Sequence, residues 1–239
     1  VQGLQNLIPK QFQGGNIKPA SFGGSNAKNL EQELLQTLDE VDRLENSEKI
    51  DYLVGQLEQT SSIAQPAISD QVYGRWRLVH TNNANTASPI QRKAVSSSKF
   101  PIYQDIVFNE NNQLVVSQVV QFSDSAELKV DALASTSKYP LAELTERKGD
   151  GTILGINLLG VSKIGEEAQE DPNRPDSRIT FVFDEGNFDF GGTKIPYPVP
   201  FRLPILRDAV KGYIDITYLS PTMRISRGNK GTTFILVKE

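Results

Sequence analysis

Residues 215–239, "DITYLSPTMRISRGNKGTTFILVKE", decide how the rest of the chain is read. Apolar and polar residues alternate on either side of the short "SPT" and "GNKG" breaks, which is the period of half-buried strands joined by tight turns. Asp215, Arg224 and Arg227 are threaded through these otherwise buried-looking strands. A charge in such a strand needs a partner. Two roles fit: chemistry, or a lock at the end of a closed sheet.

The same period runs back to Tyr73. "RWRLVHT", "YQDIVFN", "QLVVSQVVQF", "ELKVDALAS", "YPLAELTER", "TILGINLLG", "RITFVFD" and "GYIDITYL" are short runs parted by turn residues. No helical stretch lies between them to carry a parallel crossover, so an antiparallel meander forming a sandwich or barrel is expected over 73–239. The period alone does not choose the inward face, because a one-residue shift exchanges the two faces.

Upstream the pattern changes. Leu30, Leu34, Leu38 and Val41 recur at helical spacing, with Asn29 and Gln32 as a capping pair. Ile50, Leu53, Val54 and Leu57 follow at i, i+3, i+4, i+7 behind Ser47. A helical hairpin over 29–66 is expected. Residues 1–28 carry Gln, Gly, Asn and Pro without either period and read as a flexible or extended arm. With Val1 at the start, a leader removed from this end is expected.

Two inserts break the meander. Residues 165–177, acidic and Pro-containing, read as a solvated loop. Residues 191–212 carry prolines at 196, 198, 200 and 204, which forbid a central strand, yet Ile195, Tyr197, Phe201 and Leu203 are apolar and Arg202 is basic. A long greasy loop of this kind is a membrane or partner contact, or a plug for the barrel mouth.

The composition excludes several functions. Zero cysteines remove thiol nucleophiles and thiolate metal sites, and the one histidine, His80, has no triad around it. No nucleophile elbow, dinucleotide fingerprint or phosphate loop is present. A net charge of −4 without a basic run argues against nucleic acid. A non-enzymatic protein without metal or cofactor is expected.

A closed barrel of roughly eight strands remains, filled by its own side chains or holding one small apolar ligand. The candidate lining is Leu78, His80, Val116, Phe122, Phe181, Phe183, Ile216 and Tyr218. "YGRW", with Gly74 two residues before Trp76 at the opening of the first strand, resembles the lipocalin G-x-W signature. That resemblance implies an arginine packed over Trp76, from Arg224 or Arg227, with Asp215 paired to one of them: a closure device at the barrel's end.

Over residues 30–239 the chain resembles the plastid lipid-associated protein, or plastid fibrillin, family. The resemblance rests on "LEQELLQTLDEVDRL" and "LVGQLEQ" ahead of "YGRWRLVHTNN", and on "GYIDITYLSPTMRISRGNKGTTFILVK" at the end. It implies a mainly β protein, an antiparallel lipocalin-like barrel preceded by a helical hairpin, in the plastid (chloroplast). It implies binding or delivery of an isoprenoid, quinone, carotenoid or fatty acyl lipid at a thylakoid or plastoglobule surface. The alternative is a structural linker in a thylakoid photosynthetic assembly, fastened to complex subunits through residues 1–28.

Overall fold

In a computed structural model of the chain, the described residues are 25–39, 47–61, 63–82, 100–141, 170–198, 201–203, 211–228 and 231–239. The strand expected at 152–160, residues 142–147 of the one expected at 139–147 (whose first three residues are not strand) and the arm over 1–24 lie outside them, as do the link at 40–46 between the helices and much of the 191–212 loop.

Two helices lead, α1 (Ser25–Asp39) and α2 (Ser47–Thr60). The first begins four residues earlier than the Asn29 cap suggests, so residues 25–28 belong to the helix rather than to the arm. Ile50, Leu53, Val54 and Leu57 form the buried stripe of α2. Leu34 and Leu38 meet it from α1.

Among the described residues nine strands follow: β1 (Gly74–Thr81), β2 (Ile102–Phe108), β3 (Leu114–Ser123), β4 (Ala126–Ser135), β5 (Arg178–Phe190), β6 (Thr193–Pro196), β7 (Lys211–Leu219), β8 (Met223–Gly228) and β9 (Thr233–Lys238). All pairings are antiparallel. The order is β4-β3-β2-β1-β9-β8-β7-β5-β6, and a further β4–β5 pairing closes the sheet into a ring. β6 hangs outside that closure as a hairpin arm of β5.

β5 runs six residues beyond the stretch "RITFVFD" that marks it in sequence. Gly186 and Asn187 look like a turn there, but a bulge at Asp184 bends the strand and lets it continue. The loop expected over 191–212 therefore opens with a strand, β6. It is an edge strand, the one place in a sheet where Pro196 is tolerated.

The sheet has two covered faces. Inside the ring lie Trp76, Ile106, Leu114, Val116, Ile179, Ile214, Ile216, Leu219 and Leu236. Outside, the helix pair covers Tyr218, Met223, Ile225 and Ile235, with Val79 at its margin. Each large apolar side chain buried this way contributes about 1.5–3 kcal/mol. The helices are thus one wall of a second core and share β7, β8 and β9 with the first.

Candidate functional site

At one end of the ring the backbone brings three side chains together. Gly74 opens β1 at φ +111°, where a side chain is strained, and a Cβ there would sit 3.2 Å from Lys238 Nζ. Trp76 is paired in register with Gln104 on β2 and Lys238 on β9. Its indole is fully buried, and its N–H donates to the Val72 carbonyl at 2.8 Å. The Arg224 guanidinium lies 5.0 Å from the ring of Trp76, and the Lys238 ammonium lies 4.3 Å from it. Lys238 in turn donates to the carbonyls of Gln71, at 3.0 Å, and Tyr73.

Arg224 is 0 % exposed. Its Nη2 donates to Gln104 Oε1, while Nε and Nη1 have no hydrogen-bond partner. No carboxylate pairs with it among the described residues. Burial pushes its pKa down from 12.5 to about 9, so at neutral pH it is still a cation. Burial, and then the charge of Arg224, also lower the Lys238 pKa. The interior end of the ring therefore holds a positive charge that no carboxylate among the described residues pairs with. An unmet buried donor costs about 1–3 kcal/mol.

Arg227, the other candidate for the indole, faces away. Its guanidinium bonds Glu58 on α2 at 3.0 Å through both Nε and Nη2, and Nη1 donates to Thr233. Arg224 and Arg227 are an odd number of residues apart on β8, so they point to opposite faces. Asp215 pairs with neither of them. Its carboxylate takes two 2.7 Å bonds from Arg178, directly across the β5–β7 ladder, and the same guanidinium stacks 3.7 Å over Tyr213. The expected Asp215 pairing is corrected on this ground: the register sets Asp215 opposite both Arg178 on β5 and Arg227 on β8, and Arg227 is engaged by Glu58. Nor is the 165–177 insert simply solvated. Arg174 donates to the Glu58 carbonyl in the last turn of α2 and to the Thr217 carbonyl, and Glu170 accepts from the amides of Ser177 and Arg178.

The lining candidates divide three ways. Leu78, Val116, Phe181 and Ile216 share the inner core with Trp76. Phe122 packs edge-on to Phe100, 5.3 Å away, in a smaller cluster with Ile102, Val120 and Leu128. Phe183 stands between Phe181 and Phe201, at 5.5 and 5.7 Å. His80 and Tyr218 are corrected to the other face. A bulge between Leu78 and His80 sets His80 opposite Ile235, which belongs to the helix-covered core. A second bulge, between Ile216 and Tyr218, turns Tyr218 toward α1, where its hydroxyl donates to Glu31 at 2.7 Å. Burial and then Glu31 raise the Tyr218 pKa. Each bulge adds one residue, and one residue reverses the parity of everything beyond it.

The Pro loop also divides. β5 pairs with β7 through 178–182 and with β6 through 187–190, leaving 183–186 between the two ladders. Tyr197 and Phe201 stack there, 5.9 Å apart and 11° from parallel, against Phe188 and Phe183. Gly186 makes room: a Cβ on it would lie 3.0 Å from the Cβ of Tyr197. These two aromatics plug the gap and are not free for a membrane. Arg202 bonds Asp184 at 2.8 and 2.9 Å and Glu185 at 3.0 Å. Ile195 is 50 % exposed and Leu203 48 %, and Phe190, which the sequence reading passed over, is 49 % exposed. Phe190 stacks on Phe188, whose register partner is Ile195, so Phe190 and Ile195 share one side of the hairpin.

Gln104, Ser226 and Lys238 were also passed over. Ser226 could have been found, since it stands two residues from Arg224 and so shares its face. Among the described residues no group of three or more His, Cys, Asp or Glu could hold a metal, and no helix is long and apolar enough to cross a membrane.

Residues 28–237 match the family model PAP_fibrillin. The chain belongs to this family. Two curated relatives, both from Arabidopsis thaliana, set it in context. It is 40% identical over 195 residues to probable plastid-lipid-associated protein 12, chloroplastic, covering 80% of this chain and 38% of that protein. It is 24% identical over 208 residues to probable plastid-lipid-associated protein 2, chloroplastic, covering 82% of this chain and 64% of that protein. The chain thus spans less than two thirds of either PAP_fibrillin relative. No solved structure matches it.

Proposed function

We propose that this chain is a non-enzymatic plastid protein that holds a hydrophobic small molecule inside its ring and works at a thylakoid or plastoglobule surface. The molecule would be an isoprenoid, quinone, carotenoid or fatty acyl lipid. Family membership, and the words "plastid-lipid-associated" and "chloroplastic" in the names of both relatives, support the lipid and the compartment.

The observation that carries the surface reading is the exposed apolar lip. Phe190, paired with Ala126 on β4, and Ile195, on the edge strand β6, are exposed on one side of the sheet beyond the β5–β7 ladder. Exposed apolar side chains gathered on one side of an edge hairpin suit a lipid interface. Their row continues through Phe188 to the plugging aromatics Tyr197 and Phe201, so the arm that would touch lipid also borders the gap in the wall.

The test is flotation with galactolipid vesicles, with and without an anionic lipid. The native chain should float, and a Phe190→Ser/Ile195→Ser double variant should stay at the bottom with its circular dichroism unchanged. Equal flotation of both would overturn the role of the lip. Mass spectrometry of chain purified from a plastid extract should show a stoichiometric prenyl or acyl lipid, and its absence would overturn the interior reading.

A further inference from the structure

We propose that Arg224, with Ser226 beside it, is a docking point inside the ring for the carboxylate head of a free fatty acid. This rests on the reading of the ring as a lipid-holding interior and names the head group that interior selects.

The argument starts from orphaned polar atoms. Arg224 Nε and Nη1 and the hydroxyls of Ser226 and Thr81 are buried without hydrogen-bond partners. Buried polar groups in folded proteins nearly always find one. The register puts these three side chains on one wall. Arg224 and Ser226 alternate on the inner face of β8, Ser226 is paired with Phe234 on β9, and Phe234 is paired with Thr81 on β1. Phe234 packs with the inner core, as do Leu78, Phe181 and Ile216. The orphans therefore share the inner face among apolar side chains, Arg224 and Ser226 on one strand and Thr81 two strands away, with no solvent access at Arg224.

Charge chooses among ligands. A carotene or prenyl hydrocarbon has no acceptor. A quinone carbonyl accepts a hydrogen bond but leaves the guanidinium's charge in place. A carboxylate accepts from the guanidinium and from hydroxyls and cancels the charge. Lys238 already donates to two backbone carbonyls, so the buried donors left without a partner at this end belong to the guanidinium. Neutralising Arg224 would also relieve the Coulomb effect that lowers the Lys238 pKa.

Trp76, the chain's one tryptophan, reports on the site from 5.0 Å. The experiment titrates the full chain with dibromostearic acid and, separately, with its methyl ester, reading quenching of Trp76 fluorescence. The acid should bind about tenfold or more tightly than the ester. Arg224→Gln should bind both with the ester's affinity, and Arg227→Gln, outside the ring, should keep the native preference. Ser226→Ala should narrow the preference, and it decides the matter should Arg224→Gln fail to fold. Equal binding of acid and ester by the native chain would overturn the proposal while leaving an interior lipid site standing. Quenching by neither would overturn both. A preference that survives Arg224→Gln would place the carboxylate elsewhere and sink the assignment.

Discussion

Arg224 and Arg227 stand three residues apart on β8 and occupy opposite surroundings. Arg227 points outward to Glu58 on α2, a two-bond ion pair whose arginine side chain is 38% exposed. Arg224 points inward, fully buried, with an indole, one amide oxygen and, among the described residues, no carboxylate. The first is a strut between the helix pair and the sheet. The second is a charge held where water cannot reach it. Residue type is the same in both; parity along one strand separates a fastening from a buried cation with unmet donors. The same contrast holds for the two cores. The outer one is completed by helices from the same chain, and the inner one carries the unmet donors.

The largest expected break is on the inner side. Trp76→Ala should cost about 3–5 kcal/mol, because the indole is fully enclosed and its loss leaves a cavity beside a buried cation. Denaturant unfolding followed by far-ultraviolet circular dichroism measures it, and a change under half a kilocalorie would mean that the indole is not enclosed.

The outer core should give less at its polar clasp. Glu31 accepts from the hydroxyls of Tyr218, at 2.7 Å, and Thr222, at 2.8 Å. Glu31→Ala strands the buried Tyr218 hydroxyl and should cost about 1–3 kcal/mol in the same experiment. If α1 docks by its apolar stripe alone, the variant would match the native chain.

Arg227→Gln sharpens the comparison further, with an expected loss of only about 0.2–1 kcal/mol, shrinking as salt is raised. A larger, salt-insensitive loss would mean that the pair is shielded from solvent as Arg224 is.

The smallest expected effect is a slope. Burial is the leading cause that pushes the Tyr73 phenol up to about 12 from 10.0. The folded state therefore keeps a proton that the unfolded state releases, and this stability is complete below pH 10 and lost as pH rises toward 12. Tyr73→Phe should fall less steeply in stability between those values. Phenolate absorbance in the native chain should show one late-titrating group that the variant lacks, and identical titrations would refute the assignment.

Much of this was legible in the sequence. Eight of the nine described strands and both described helices announce themselves by period, because each buries one face and the side-chain repeat of the element is fixed by backbone geometry. The G-x-W stretch and the terminal strands carry the family. β6 and the long end of β5 were hidden behind Gly186, Pro196 and the paired glycines, residues that usually mark turns. At Gly186 the close approach of Tyr197 is the reason for the glycine. Of the loop residues, Tyr197 and Phe201 look in sequence no different from Ile195, and only the gap between two ladders separates plug from lip.

By itself the sequence determined the repeat of each element, the existence of an inner and an outer face, and the Gly74–Trp76 opening of the first strand. Those are local consequences of side-chain spacing. Tertiary structure decided which face His80 and Tyr218 take, which arginine meets the indole, and that Asp215 belongs to Arg178. A single extra residue in a bulge reverses parity, and an ion pair forms between strands whose register is set by the whole sheet. Neither fact is written in the spacing of any one segment.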